Sequence, residues 1–358
     1  MKVFMDRCND YSDAERVIRD AFEKLGGIER FVKDGETILV NPNLLQGAIP
    51  ERAITTHPDF IISVVKILEE KDVDIIVGDS PGGPMSERRL KKAYKKSGWD
   101  RVEKETSAEL MYETGEETTS HPGGKIKKSF STIQTFSEVD GVINLPKLKT
   151  HNLTVFTGAV KNTFGIVHGM TKSAYHGTFK GLTDFSDMLL DVYSMVSPRL
   201  SIMDGIWSME GSGPASGKAV KTDMVLASKD GIALDLAACK AVGIPIQKVE
   251  TIVRSGLDTK DIDYVKLIPD DFNYSFDYPK GGSTPWWAPD ALAGLLAKFY
   301  LDRPTLDQEK CIKCAKCMDI CPKNAITMKE YGPKISWWKC IRCYCCSEIC
   351  PVEALDVE

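Results

Sequence analysis

Short apolar runs alternate with amphipathic stretches through residues 1–285. "KVFMD", "ETILVN", "DIIVGD", "VDGVINL", "RLSIMD" and "TDMVLAS" are apolar and partly β-branched. Continuous runs of this kind belong to strands covered on both faces, where a half-exposed strand would alternate. Helical patterns lie between them. "SDAERVIRDAFEKLGG" opens on Ser-Asp and stops on Gly-Gly, a capped helix by its ends alone. "HPDFIISVVKILEE", "SERRLKKAYKKSG", "LTDFSDMLLDVYSMV" and "DGIALDLAACKAVG" follow the same logic. The alternation predicts an α/β domain over residues 1–285, with a mainly parallel sheet and flanking helices. Residues 101–137 do not follow it and read as an irregular excursion. Trp286, Trp287 and the stretch at 289–307 predict a linker and packing helix over 286–305.

The pattern changes completely in the last segment, 306–358. Nine of the eleven cysteines fall between Cys311 and Cys350, and only Cys8 and Cys239 lie outside it. A large domain with two isolated thiols reads as a reduced intracellular protein carrying a metal module. "CIKCAKCMDICPKNAI" and "CIRCYCCSEICPVEAL" align without gaps, so the module is an internal repeat. Each copy reads C-x2-C-x2-C-x3-C-P. The residue left out of register is Cys345. Three cysteines at this step can wrap three corners of one [4Fe-4S] cubane, while the fourth points away to the other cluster. Cluster one is thus expected on Cys311, Cys314, Cys317 and Cys350, and cluster two on Cys340, Cys343, Cys346 and Cys321. Zinc also takes C-x2-C pairs, but does not need the third cysteine and the Cys-Pro in both copies. Between the copies, "AITMKEYGPKISWW" reads as two short strands around a Gly-Pro turn. Cys345 is expected to be a bystander thiol.

In the first domain, polar and glycine-rich stretches follow the apolar runs: "NPNLLQG", "GDSPGG", "NLPKLKTHN" and "DGIWSMEGSGPASGK". Ligands of open parallel sheets bind at the carboxyl ends of strands, so these four are expected to converge on one pocket. The charge pattern says what it would hold. From Gly141 to Thr183 there is no Asp or Glu, while Lys147, Lys149, Lys161, Lys172 and Lys180 and three of the five histidines lie there. A positive wall in a chain of net charge -5 suits a small anionic metabolite. The alternative is a basic surface that docks a partner. Lys147, Lys149 and Lys161 are expected to bind the anion, with Lys161 at the catalytic centre in "GAVKNTFG". There, backbone N–H groups at a helix start would also reach the ligand. Asn162, Asn43, Gly82 and Gly83 complete the expected contacts, and His151 or His168 would deliver protons.

The acidic balance argues against nucleic acid as a partner. No apolar run is long enough to span a bilayer, and the start of the chain lacks a secretory pattern, so a cytoplasmic protein is expected. "GDSPG" matches the nucleophile elbow of hydrolases, but the residue after Ser80 is Pro81, which cannot donate to an oxyanion. No histidine follows Asp204. "GSGPASG" does not match a dinucleotide fingerprint, and no phosphate-binding Gly-Lys-Ser/Thr loop exists.

"NLPKLKTH", "TGAVKNTFG", "GDSPGG" and "DGIWSMEGSGP" resemble the family called domain of unknown function 362, some members of which carry a C-terminal ferredoxin module. The last segment closely resembles a bacterial-type ferredoxin with two [4Fe-4S] clusters. A shorter run of His, Gly, Lys and Gly is similar to nickel-dependent lactate racemases, which implies a small hydroxy-acid or a phosphate-bearing cofactor. Together these readings predict an iron–sulfur oxidoreductase that exchanges electrons with a redox partner protein. The alternative is a non-catalytic carrier or docking protein for a separate enzyme. A third reading uses the three histidines for a further metal.

Overall fold

The computed structural model describes residues 1–179, 181–279, 281 and 302–357. The expected packing helix at 286–305 lies outside these residues apart from its end, where Pro304 opens a strand.

The strands of the large domain are β1 (Lys2–Arg7), β2 (Thr37–Pro42), β3 (Asp74–Val77), β4 (Glu109–Leu110), β5 (Glu116–Ser120), β6 (Ser129–Ile133), β7 (Gly141–Leu145), β8 (Lys147–His151), β9 (Val155–Thr157), β10 (Leu200–Glu210), β11 (Lys218–Ser228) and β12 (Asp263–Lys266). The central sheet runs β12-β1-β11-β10-β7-β2-β3-β4. Along this path it is parallel except where β11 lies antiparallel between β1 and β10, and off the path β9 pairs antiparallel with β8. The sheet is mainly parallel, as its uninterrupted apolar strands require. β5 and β6 form a separate antiparallel hairpin, so the segment expected to be irregular holds a strand pair.

Alternate side chains of each central strand enter opposite layers. Ile38, Val40, Ile143 and Ile202 pack against the helices Ala14–Lys24, Pro58–Leu68 and Glu87–Ser97. Their neighbours Leu39 and Val142 face the helix Gly181–Val196 through Phe185, Met188 and Leu189. Met203 and Leu226 face the helix Gly231–Ala241. Cys8 and Cys239 are fully buried in these layers, which leaves both in structural positions.

Two stretches that read as loops are strands. Pro146 interrupts β7, because it lacks an N–H for the ladder. The chain then resumes as β8 and pairs with the far half of β10. β10 itself continues past Asp204 to Glu210, as one arm of a long hairpin with β11. β8 is "KLKTH", with all five residues buried. Its polarity hid it, because a fully covered strand is normally apolar.

The C-terminal module has β13 (Pro304–Leu306) paired with β16 (Leu355–Val357), and β14 (Ile326–Lys329) paired with β15 (Gly332–Ile335). Its two copies share one backbone path. Ala315 and Tyr344 have φ of 63° and 61°, and open the matching short helices Lys316–Asp319 and Cys345–Glu348. Among the described residues no helix is long and apolar enough to cross a membrane.

The helix Gly231–Ala241 starts at Asp230, whose carboxylate accepts from the N–H groups of Ile232 and Ala233 at 2.9 Å. Asp230→Ala should therefore lower unfolding free energy by about 1 kcal/mol, measured by urea denaturation, with Asp230→Ser retaining most of it.

Candidate functional site

β2, β3 and β7 run parallel, so their carboxyl ends share one edge of the sheet. Three asparagines form the floor there. Asn162 donates to the Asn41 carbonyl at 3.0 Å and to Asn144 Oδ1 at 2.8 Å. Asn144 in turn donates to the Ala159 carbonyl and to Ser201 Oγ, both at 3.1 Å. This network ties β2 and β7 to the short helix Ala159–Asn162. Gly165 then passes so close to the loop after β3 that an added Cβ would lie 2.3 Å from Asp79 Oδ1.

Above this floor is a cavity of about 90 Å³. The large domain lines it with Asn43, Asp79, Gly82, Lys161, Lys172 and His176. Lys161 makes no hydrogen bond or ion pair with the described residues, and burial holds its ammonium below the usual range. Lys172 donates to the Ser80 carbonyl and lies 4.0 Å from Asp79 Oδ1. Burial brings its pKa down to about 8. Asp79 Oδ2 accepts from the Leu44 N–H, but Oδ1 is buried without a hydrogen bond. A buried acceptor in that state requires a donor from a ligand or water. Burial pushes the Asp79 carboxyl up, with Lys172 opposing. His176 stacks on Phe185 with ring centroids 4.2 Å apart, and burial lowers its pKa to about 3.

The remaining wall comes from the C-terminal module: Ile320, Cys345, Glu348 and Ile349. Glu348 Oε1 lies 3.2 Å from Nε2 of His151. The Nδ1 of His151 accepts from the Leu153 N–H at 3.1 Å, which puts the ring hydrogen on Nε2, beside the carboxylate but without a hydrogen bond to it. Burial lowers the His151 pKa to about 4, so the ring is neutral at pH 7. The turn that aims it ends on Val155, whose φ of 66° is a left-handed value that β-branched residues rarely adopt. Burial pushes the Glu348 carboxyl up, but the His151 contact and the charge of Lys161 outweigh it and hold the pKa at about 2. An Arg52–Glu353 ion pair makes a second link between the parts, and Tyr344 joins the apolar cluster around Phe164 and Tyr175.

Within the module the thiols surround two hollows. Cys311, Cys314, Cys317 and Cys350 line the first. Cys321, Cys340, Cys343 and Cys346 line the second, with Cys345 beside them. Matching N–H groups, of Ala325 and Ala354, point at Cys321 Sγ and Cys350 Sγ, each at 3.2 Å. Such donors stabilise cluster-bound sulfur, and each hollow has the four-thiol set a cubane takes. The crossing of Cys321 and Cys350 follows the repeat spacing.

The other expected site residues are dispersed. Lys147 is not at the cavity: its ammonium is buried against Asp204 at 2.7 Å and Tyr11 OH at 3.0 Å. Lys149 lies behind the wall, donating to Asn43 Oδ1 at 2.6 Å and the Ile54 carbonyl at 2.7 Å. His151 holds Glu348. His168 faces the β5–β6 hairpin, 3.3 Å from the Thr114 carbonyl and 3.7 Å from Glu116. The N–H groups of Ala159 and Val160 are unavailable to a ligand, because Asp235 accepts both at 2.5 and 3.0 Å. Gly83 has φ of 96° and packs toward Ile349 of the module. Asn162 and Gly82 line the cavity. Asp79, Glu348 and Cys345 were missed as site residues. The one sequence signal for Cys345 was that it stands out of register.

The chain belongs to the family described as domain of unknown function (DUF362), whose profile matches residues 38–240. Residues 303–351 match a 4Fe-4S dicluster domain, so the module binds 4Fe-4S and the chain is an iron–sulfur electron-transfer protein. A thylakoid-associated protein of Synechocystis is 34% identical over 225 residues, which cover 61% of this chain and 66% of that protein. Among solved structures, the lactate racemase apoprotein of Thermoanaerobacterium thermosaccharolyticum is 14% identical, with a TM-score of 0.40, over 67% of this chain and 57% of that one. A Thermotoga maritima protein is 11% identical, with a TM-score of 0.37, over 70% and 60%. The chain thus spans under two thirds of the length of each.

Gly165→Ala should cost about 2 kcal/mol, in the range for forcing extra volume into a packed site. Gly82→Ala, with nothing within 4 Å of its added Cβ, should leave the melting temperature unchanged.

Proposed function

We propose that the chain is an iron–sulfur oxidoreductase that binds a small anionic metabolite in the cavity between its two parts. The observation that carries this reading is the position of Cys345. It lines both the cavity and the second thiol hollow, so a bound molecule would lie one side chain from that hollow. The proposed ligand sets are Cys311, Cys314, Cys317 and Cys350, and Cys340, Cys343, Cys346 and Cys321. When bound, two [4Fe-4S] clusters supply one-electron transfer.

The cavity walls narrow the substrate class. Its volume of about 90 Å³ favours a few heavy atoms and disfavours a nucleotide. Lys161 and Lys172 offer charge to a carboxylate or phosphate-sized group. Asp79 Oδ1 offers an acceptor that has no hydrogen bond. A short carboxylate carrying a hydroxyl satisfies both. Leu44, Phe164, Ile320 and Ile349 would cover its apolar part and exclude water.

One observation favours the second reading, a carrier whose large domain is a docking platform. The basic wall already receives an acid, Glu348, from the module. Retained ligand separates the two: small molecules released from anaerobically purified protein should include an oxyanion, absent from Lys161→Ala. Wild-type protein that releases none, and binds none of a panel of short carboxylates and phosphate, would leave the platform reading.

Two further outcomes follow. Iron and sulfide should each reach about eight per chain; Cys345→Ala should keep that content and Cys346→Ala should lose part of it. Anion binding should also take up protons. Lys172, which lines the cavity, sits at about 8 because of burial, so the empty site is partly uncharged at and above neutrality. The histidines, at about 4 and 3, stay neutral throughout. Affinity should therefore rise as pH falls from about 9 to about 6, checked by calorimetry in buffers of different ionisation enthalpy.

A further inference from the structure

The two copies of the cysteine repeat have the same backbone but opposite surroundings. In the second copy the helix Cys345–Glu348 and the preceding Tyr344 are turned into the large domain, where Tyr344 is 2% exposed. It presents a thiol and a carboxylate to a wall of lysines. In the first copy the corresponding residues are Ala315, Lys316 and Asp319, and both Lys316 and Asp319 are exposed. Lys313 and the ligand-set cysteine Cys314 are exposed beside them, and Ile312 is 60% exposed. Lys313 and Lys316 line the rim of the first hollow. Neither makes an ion pair with the described residues, and Lys310 and Lys323 are exposed nearby.

We infer that this face docks a small acidic one-electron redox protein, which passes electrons into the chain through the first hollow. The inference rests on the reading of the two hollows as cluster sites. Charge complementarity identifies the partner. Within the chain, the second copy keeps its Arg342 buried and turns Cys345 and Glu348 to a basic wall. The free copy has lysine where its counterpart has Cys345, so its partner must present carboxylates. The exposed Ile312 supplies an apolar centre within a charged rim, the usual composition of a transient interface. The chain's net charge of -5 would otherwise repel an acidic protein, so a local basic face is what permits a fast encounter. The transfer moves one electron: the partner is oxidised by one equivalent, the chain is reduced by one, and no bond is made or broken.

The test is anaerobic stopped-flow reduction of the iron-loaded full chain by an acidic flavodoxin in its hydroquinone form. For the wild type the second-order rate should fall several-fold between about 20 and 300 mM salt, as screening shortens the reach of surface charge. K313E/K316E should react at least tenfold more slowly at low salt, while the neutral photoreductant deazaflavin should reduce it at the wild-type rate. That second reductant, with the iron content, separates a lost docking face from lost clusters. The reversal K95E/K96E, on the large domain, should stay within about twofold of wild type if local rather than net charge steers the encounter. A wild-type rate that is level or rises with salt overturns the proposal. So does an iron-replete K313E/K316E that accepts electrons from flavodoxin as fast as wild type.

Discussion

The contact on which the site depends is that of Glu348 with His151, beside Lys161. It joins a residue of the cysteine module to one at the end of a buried strand. Without the module the cavity would be an open basic shelf. With it, Cys345, Glu348, Ile320 and Ile349 close the side opposite the strand ends. The cavity and the docking of the module are therefore one feature. A ligand that prefers the closed cavity must favour docking by the same free energy, and docking must favour the ligand.

The buried lysines show how the large domain sorts charge. A buried ammonium is tolerated when a counter-charge or hydrogen-bond acceptors replace water. Lys147 has Asp204, and Lys149 has the Asn43 and Ile54 oxygens. Lys161 feels the nearby charge of Glu348 but makes no hydrogen bond or ion pair among the described residues, and it lines the cavity. Residues with satisfied partners build the sheet edge. The unsatisfied cation and the orphan Asp79 oxygen are what remain for a ligand.

Much of the architecture was legible in the sequence, because apolar runs and capped helices are local signals. The cysteine spacing is local too, and the hollows gather the thiols that it implies. The acid-free segment pointed to the right part of the chain but said little about roles. Its counter-charges come from elsewhere: Asp79, Asp204, Asp235 and Glu348 arrive from four other elements, and no periodicity encodes those pairings. Lys147 and Lys161 look alike in sequence; only tertiary contact shows that one is neutralised. "KLKTH" read as a loop because its polar side chains are satisfied by distant partners. Asp235 caps the helix at Ala159 from 76 residues away, so the N–H groups expected to bind a ligand were already engaged.

The most direct measurement is anomalous diffraction from anaerobically grown crystals of the iron-loaded chain, soaked in selenate as a stand-in oxyanion. Data around the iron and selenium edges would place both elements in one map. The account predicts a selenium peak between Lys161 and Cys345, nearer the iron held by Cys340, Cys343 and Cys346 than the other iron site. Selenate bound elsewhere, with the cavity holding only water, would contradict it.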